Sequence, residues 1–213
     1  MVEALLFDLG GVVIEIDFDR VLWRWETISA LSFAELKSTF HFDTAYQRHE
    51  RGEIDGADYF AYLRNLLKLD GSDDEIVAGW NAVFVTEIPT VLAAISKARK
   101  QFPCYAFTNT NPTHLAAWQA DYPAIFRSFD KIFISFDLGL RKPERLAFDA
   151  IVADIGVAHA NILFFDDTRE NIAGAEAAGL QTVYIQSPDD IHYALENLNG
   201  SCKDGILKGW SLL

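Results

Sequence analysis

Five short apolar runs recur along the chain, and each has the composition of a buried strand. They cover residues 3–8, 104–109, 131–135, 161–167 and 181–185. Continuous apolar runs of this length are typical of parallel sheets, in which helices cover both faces. Helical patterns lie between the runs, over residues 89–102, 143–156 and 168–180. The alternation predicts an α/β fold with a Rossmann-like parallel sheet as its core.

The segment of residues 17–86 breaks this alternation. Its pattern predicts no strand, but it contains several helical stretches, two of which begin with the capping boxes Ser32–Glu35 and Ser72–Glu75. The segment is also rich in aromatic residues, which is typical of the core of a helical bundle. We therefore predict a core domain of residues 1–16 and 87–213, with a helical cap inserted after the first strand.

Charge and cysteine content limit the classes of function. The chain has 213 residues, half of them hydrophobic, and its 31 acidic against 18 basic residues give a net charge of −13. This charge disfavours binding to nucleic acid or to an anionic membrane. Cys104 and Cys202 form no CxxC motif, and the amino end lacks the basic region of a signal peptide. We expect a cytoplasmic protein with no nucleic-acid or membrane partner.

Polar side chains follow the apolar runs where each predicted strand ends. They are Asp8, Thr108, Asn109, Lys142, Asp166 and Asp167. In open α/β sheets, ligands bind at the carboxyl ends of the strands. Two carboxylates from separate strands can hold Mg²⁺, and hydroxyl, amide and lysine groups can donate to phosphate oxygens. Each group alone also fits a turn or a helix cap, so only the combination predicts a site.

Four motifs, in this order along the chain, carry a family resemblance: FDLGGVV, FTNTN, GLRKPE and FFDDTREN. Together they resemble the motifs of the haloacid dehalogenase superfamily of hydrolases, in its subclass with a helical cap. The resemblance reaches to about residue 197, and the tail beyond has no assigned pattern. The segments DFDRVL, HERGEI and NAVFV are also similar to bacterial phosphatases of α-D-glucose 1-phosphate. The resemblance implies a Mg²⁺-dependent phosphatase of a small phosphorylated metabolite, such as a sugar phosphate.

The resemblance also implies roles for the residues at the strand ends. Asp8 is the expected nucleophile, which forms an aspartyl-phosphate that water later hydrolyses. Thr108 and Asn109 are expected to bind the transferring phosphoryl group, and Lys142 to offset its charge. The expected catalytic residues are therefore Asp8, Thr108 and Lys142.

The same resemblance places Mg²⁺ beside the nucleophile. Its expected ligands are the carboxylates of Asp8 and Asp167 and the backbone carbonyl of Gly10. Family members with a Gly-Asp pair at the last motif bind the ion through the second residue of the pair, which makes Asp167 the ligand. Asp166 is expected to belong to the metal site as an acid that supports the ligands without binding the ion directly.

Gly10 departs from the family pattern. Most phosphatases of this superfamily have an aspartate two residues after the nucleophile, which protonates the leaving alcohol and then activates water. General acid–base catalysis contributes about 10²- to 10⁴-fold, so its loss costs roughly 3 to 5 kcal/mol of barrier. An easy leaving group, such as an anomeric sugar hydroxyl, reduces this need. Alternatively the cap supplies another acid, or the protein turns over very slowly.

The cap is expected to reach the substrate through the polar stretch HFDTAYQRHERGEID, residues 41–55. His41, His49 and Glu50 are the candidates for substrate binding. Together with Asp17 they are also the candidates for the missing proton donor. The histidines outside the cap show no metal-binding spacing and are expected to be structural or exposed; they are His114, His159 and His192.

Two other functions stay open. A dehalogenase of 2-haloacids also uses aspartate attack and needs no second aspartate, although such enzymes typically have an aromatic residue in place of Gly10. A non-catalytic phosphosugar-binding protein would keep the pocket without the acid. The retained Asp8 argues against this, because a pure binder has little use for a carboxylate that faces a phosphate.

Overall fold

A parallel sheet of five strands forms the centre of the molecule. A computed structural model describes the backbone of residues 1–204 and the side chains of residues 1–198. Its strands are β1 Ala4–Phe7, β2 Ile14–Ile16, β3 Phe84–Glu87, β4 Cys104–Thr108, β5 Lys131–Ile134, β6 Ile162–Asp166 and β7 Gln181–Tyr184. The central sheet has the order β5-β4-β1-β6-β7, and all its pairs are parallel. The five predicted strands and the α/β fold class are confirmed.

Helices cover both faces of the sheet and fill the segment between β2 and β3. They are α1 Phe18–Glu26, α2 Phe33–Thr39, α3 Thr44–Glu50, α4 Gly56–Leu66, α5 Asp73–Asn81, α6 Pro89–Ala98, α7 Pro112–Asp121, α8 Pro123–Ser128, α9 Ser135–Leu138, α10 Arg145–Ile155, α11 Arg169–Ala178 and α12 Pro188–Asp204. A 3₁₀ turn, His159–Asn161, precedes β6. None of the helices that the structure describes is long and apolar enough to cross a membrane.

Strand β1 shows why apolar and polar residues do not alternate along the predicted strands. Leu5 and Phe7 pack on the side of α6, α7 and α12, whereas Ala4 and Leu6 pack on the side of α10 and α11. All four side chains are fully buried. Burying a side chain of the size of Leu or Phe contributes about 1.5–3 kcal/mol, so both faces of the strand select apolar residues.

The predicted helix signals are present in the structure. Ser32 and Ser72 accept hydrogen bonds from the backbone of Glu35 and Glu75, whose side chains bond back to the serine N–H groups. Helices α10 and α11 each end at a glycine in the left-handed conformation. The tail after Asn197, which has no assigned pattern in the sequence, is helical as far as Asp204. Residues 205–213 lie outside the described part of the chain.

The helices α1 to α5 have a hydrophobic core of their own. Trp25 and Trp80 stack there at 5.8 Å, and both are fully buried. The strand β3 begins within residues 17–86, so the prediction that this segment contains no strand is wrong at its end. β3 is short and half-exposed, and it pairs with β2, a strand of three residues for which no strand is predicted either. Both lie outside the five apolar runs that predict the central sheet. The predicted domain boundaries themselves stay a prediction.

Candidate active site

A cavity of about 270 Å³ lies between the cap helices and the carboxyl ends of β1, β4 and β6. Its wall includes Asp8, Gly10, Ile14, Ile16, Phe18, Phe42, Tyr46, Glu50, Phe84, Thr108, Asn109, His114, Trp118, Arg141, Lys142, Asp167 and Asn171. The polar residues predicted at three separate strand ends therefore meet in one place. This agrees with the general position of ligand sites in open α/β sheets.

Asp8 directly follows β1 and is buried at the base of the cavity. Its Oδ1 accepts a hydrogen bond from the Leu9 N–H at 2.7 Å and lies 2.7 Å from Lys142 Nζ. Burial raises the pKa of Asp8 to about 7, and the neighbouring carboxylates of Asp166 and Asp167 add to this increase. The Lys142 ammonium lowers the pKa of Asp8 but does not outweigh them. A cation beside these carboxylates favours their ionised forms.

Lys142 is fully buried and bridges two carboxylates. Its Nζ lies 2.7 Å from both Asp8 and Asp166. Burial lowers the pKa of Lys142, but the two carboxylates outweigh burial and raise it above its ordinary value. Asn109 fixes the backbone of Lys142 by accepting from its N–H at 2.9 Å and donating to its carbonyl at 3.0 Å. The Asn109 side chain thus positions the lysine, a role that the sequence did not indicate.

The two adjacent aspartates after β6 differ in their surroundings. Asp166 is fully buried, and its oxygens accept from Lys142 at 2.7 Å and from Asn171 at 3.0 and 3.1 Å. Asp167 is partly exposed and lines the cavity. Ligand oxygens of Asp8, Asp166 and Asp167 lie within 4.8 Å of one another. Asp167 therefore has free coordination capacity, whereas Asp166 is engaged in holding the lysine.

The residues around Asp167 fit a small hard cation. Gly11 has a left-handed backbone with φ of 76°, and a Cβ at this position would lie 2.1 Å from Asp167 Oδ2. The turn thus brings the backbone close to the carboxylate group. Clustered carboxylate oxygens are ligands that suit Mg²⁺, so Asp8 and Asp167 are the side chains that would hold it.

Gly11→Ala is expected to lower Mg²⁺ affinity by at least about tenfold, because the added methyl group displaces Asp167. It should also lower the free energy of unfolding by about 1–2 kcal/mol, the cost of a left-handed alanine. Gly156→Ala is the matched control, since its φ is 81° but a Cβ there meets nothing within 4 Å. Calorimetric Mg²⁺ titration and urea unfolding measure both effects. Equal Mg²⁺ affinities in the two variants would contradict the role of Gly11.

Thr108 ends β4 and is buried in the wall of the cavity. Among the described residues its hydroxyl makes no hydrogen bond, so it can donate to a ligand. The loop that follows is held by Ser135, whose hydroxyl accepts from the Thr110 N–H at 2.9 Å and donates to the Thr110 carbonyl at 3.1 Å. This arrangement keeps the end of β4 rigid.

Of the four cap residues predicted to serve as proton donor, only Glu50 lines the cavity. Asp17 caps α1 and accepts from the Asp19 N–H. His41 is exposed, outside the wall. His49 is buried on another face of α3, where it stacks on Tyr59 at 4.4 Å and bonds a backbone carbonyl. The structure therefore does not bring His41 and His49 to the site, contrary to their predicted substrate contacts.

Arg141 and His114 line the cavity, although the sequence did not single them out for it. Arg141 Nε donates to Glu50 at 2.8 Å, and its position beside Lys142 in the GLRKPE motif was the available signal. His114 stacks on Trp80 at 4.5 Å, and its Nε2 lies 3.2 Å from the Trp80 carbonyl. Burial lowers the pKa of His114 to about 3, so it stays neutral at physiological pH.

Comparisons with known proteins give a consistent result. The model of the haloacid dehalogenase-like hydrolase family matches residues 2–179. A D-ribitol-5-phosphate phosphatase of Bacteroides thetaiotaomicron is 25% identical over 196 residues, which cover 89% of this chain and 95% of that protein. A sesquiterpene phosphatase of Aspergillus oryzae is 26% identical, with 86% and 89% covered.

A solved structure is similar over most of its length. It is a family enzyme of Bacteroides thetaiotaomicron in complex with magnesium and inorganic phosphate. Its TM-score is 0.77 at 28% identity, and the match covers 87% of this chain and 95% of that chain. The similarity therefore extends across the sheet and the inserted helices.

Proposed function

This chain belongs to the haloacid dehalogenase-like hydrolase family and is a phosphoric monoester hydrolase with Mg²⁺ as its cofactor, and we propose that its substrate is a sugar phosphate such as α-D-glucose 1-phosphate. One observation carries the phosphatase function: Asp8 and Asp167 line one cavity, with Lys142 Nζ 2.7 Å from Asp8 Oδ1. The similarity to phosphatases supports it. We place the enzyme in the cytoplasm, with a small phosphorylated metabolite as its partner.

The proposed reaction begins with attack of the Asp8 carboxylate on phosphorus. The bond between phosphorus and the alcohol oxygen breaks as the phosphoryl group is transferred to Asp8, and the alcohol oxygen keeps the electron pair and takes a proton from water. Water then attacks phosphorus and gives up a proton to solvent, and the bond between phosphorus and the Asp8 oxygen breaks, which restores the Asp8 carboxylate and releases inorganic phosphate. Lys142 and the Thr108 hydroxyl stabilise the phosphoryl oxygens, whereas the Leu9 N–H orients the carboxylate of Asp8. Bound Mg²⁺ supplies positive charge that offsets the repulsion between carboxylate and phosphate.

The proposed preference for a sugar 1-phosphate rests on Gly10. It lines the cavity two residues after the nucleophile but offers no side chain that can protonate the leaving oxygen. An anomeric hydroxyl is a better leaving group than an ordinary alcohol, so its departure needs less help from an acid. The substrate is therefore expected to compensate for part of the roughly 3 to 5 kcal/mol that general acid–base catalysis contributes elsewhere.

A phosphate of an apolar alcohol is the second candidate substrate. Much of the cavity wall is apolar, with Ile16, Phe18, Phe42, Phe84 and Trp118. The similarity to a sesquiterpene phosphatase fits this wall. Such a substrate has a poorer leaving group, which makes it second to a sugar 1-phosphate.

Phosphate release from a defined panel tests the proposal. The panel contains α-D-glucose 1-phosphate, ribitol 5-phosphate, farnesyl phosphate, p-nitrophenyl phosphate and a 2-haloacid. We expect the highest kcat/KM among the biological phosphates on α-D-glucose 1-phosphate, and loss of turnover in EDTA. The best rate on farnesyl phosphate would favour the apolar class. Halide release without Mg²⁺ would indicate a dehalogenase, and binding without turnover a non-catalytic protein.

A further inference from the structure

Glu50 and Arg141 form a buried ion pair in the cavity wall, and the phosphoryl-transfer steps do not use it. Arg141 Nε donates to Glu50 Oε2 at 2.8 Å, and the two side chains are 15% and 3% exposed. Glu50 is the last residue of cap helix α3, whereas Arg141 lies in the core loop directly before Lys142. The pair therefore lies where the cap meets the loop of the buried lysine.

Packing alone does not account for this pair. Removing two charges from water is costly, and apolar residues of similar volume are often at least as stabilising. Other parts of the cavity wall are built from apolar residues such as Phe18, Phe42 and Phe84, so the wall does not need charged residues for its packing. Charged groups kept at such a place in a cavity are typical of a functional site.

Both side chains have hydrogen-bonding capacity left for a ligand. A guanidinium group has five N–H donors, and within the described residues only Nε of Arg141 is bonded through the side chain. Tyr46, one helical turn before Glu50, also lines the cavity. A carboxylate has about four acceptor positions. The cavity therefore presents free donors and free acceptors side by side.

A second ion pair between cap and core holds the end of α3. Arg51 Nε donates to Glu144 Oε1 at 2.7 Å, again from cap to core. Gly52 packs so closely on the core that a Cβ there would lie 2.8 Å from the Phe136 carbonyl oxygen. The end of α3 thus has further contacts with the core outside the cavity wall, in addition to the Glu50–Arg141 pair.

We propose that Glu50 and Arg141 are specificity residues that bind adjacent hydroxyl groups of the leaving alcohol, so that the site selects phosphates of polyols. Glu50 accepts a hydrogen bond from one hydroxyl, and Arg141 donates to the oxygen of its neighbour. This inference rests on the proposed phosphatase function. Because Lys142 follows Arg141 directly, the same loop contacts the phosphoryl group and the alcohol that leaves it.

Glu50→Gln tests the proposal with three kinds of substrate: α-D-glucose 1-phosphate, its monodeoxy analogues and p-nitrophenyl phosphate. The variant keeps the volume and removes the charge. We expect KM for glucose 1-phosphate to rise about 10- to 100-fold, as for a lost hydrogen bond to a charged group, with kcat changed little. The increase in KM should disappear on the monodeoxy analogue that lacks the hydroxyl bound by Glu50. For p-nitrophenyl phosphate, kcat/KM should change less than about threefold.

Glu144→Gln is the matched control, because it removes the charge from the other cap–core ion pair at a residue that does not line the cavity; its Oε2 also accepts from the Arg141 backbone N–H at 3.5 Å, a bond that glutamine can still make. It should not change the KM ratio between the sugar phosphate and p-nitrophenyl phosphate. The proposal would be overturned if Glu50→Gln lowered kcat/KM equally for all substrates, or if its effect persisted on every deoxy analogue. Either result would indicate that Glu50 holds α3 on the core or donates a proton. Wild-type turnover of p-nitrophenyl phosphate but of no sugar phosphate would also overturn it, whereas turnover of neither would overturn the phosphatase function.

Discussion

Asp8→Asn is expected to lower kcat by about 10⁴-fold or more, because an amide cannot act as the nucleophile and the alternative routes are slow. The substitution conserves shape, and the asparagine Oδ1 can still accept from the Leu9 N–H and from Lys142. The fold should therefore persist. Phosphate release from p-nitrophenyl phosphate measures the activity, and thermal unfolding of the same sample checks that the fold is intact.

Asp17→Asn is the matched control for this substitution. It makes the same chemical change at a carboxylate outside the cavity wall, where Asp17 caps α1. An asparagine is as good an N-cap as an aspartate, so kcat/KM should stay within about twofold. Activity of Asp8→Asn close to that of the control would remove Asp8 from the mechanism.

Gly10→Asp is the second substitution with a large expected effect, in the opposite direction. An aspartate here supplies a proton donor for the leaving alcohol, and general acid catalysis contributes about 10²- to 10⁴-fold. We expect kcat for ribitol 5-phosphate to rise about 10²-fold, with little change for p-nitrophenyl phosphate, whose leaving group needs no proton. A Cβ at Gly10 lies 3.1 Å from Ile16 Cδ1, the end of a flexible side chain, so the residue can be accommodated.

Gly10→Asn separates proton donation from shape. It adds the same volume at the same place without an acidic proton, and should leave kcat for ribitol 5-phosphate near the wild-type value. Similar gains for the aspartate and asparagine variants would show that the effect is steric. No gain for either, with the fold intact, would mean that another group already donates the proton.

The fold was largely predictable because its sheet is buried on both faces. Continuous apolar runs such as Ala4–Phe7 arise from that double burial, and the glycines that end α10 and α11 mark helix termini directly. Strands β2 and β3 were not predicted because Ile14–Ile16 and Phe84–Glu87 are short, partly exposed and form a separate two-stranded sheet. Short strands of this kind have too few residues to establish a period.

The site was predictable only in part, for a geometric reason. The backbone topology brings strand ends together, so Asp8, Lys142 and Asp167 could be placed from the order of motifs. Which side of α3 faces the cavity depends on the packing of the cap, and successive helix residues point about 100° apart. His49 and Glu50 are neighbours in sequence, yet only Glu50 lines the cavity.

Contacts through the backbone were also beyond sequence reasoning. Asn109 belongs to a motif that implies phosphoryl binding, but its amide is bonded to both backbone groups of Lys142. Asn171 holds Asp166 from the first turn of α11. The Asn109–Lys142 bonds join loops that are 33 residues apart in the chain, whereas the Asn171–Asp166 bond joins side chains five residues apart.

Transfer of the phosphoryl group to Asp8 is the central claim, and its most direct test is the mass of the acid-quenched enzyme during turnover. Because Gly10 provides no base to activate water, the aspartyl-phosphate is expected to accumulate. With Mg²⁺ and substrate, we predict a gain of one phosphoryl group that fragmentation places on Asp8, and no gain in Asp8→Asn. The mechanism would be contradicted if the phosphoryl group were found on another residue during turnover. It would also be contradicted if Asp8→Asn released phosphate at the wild-type rate.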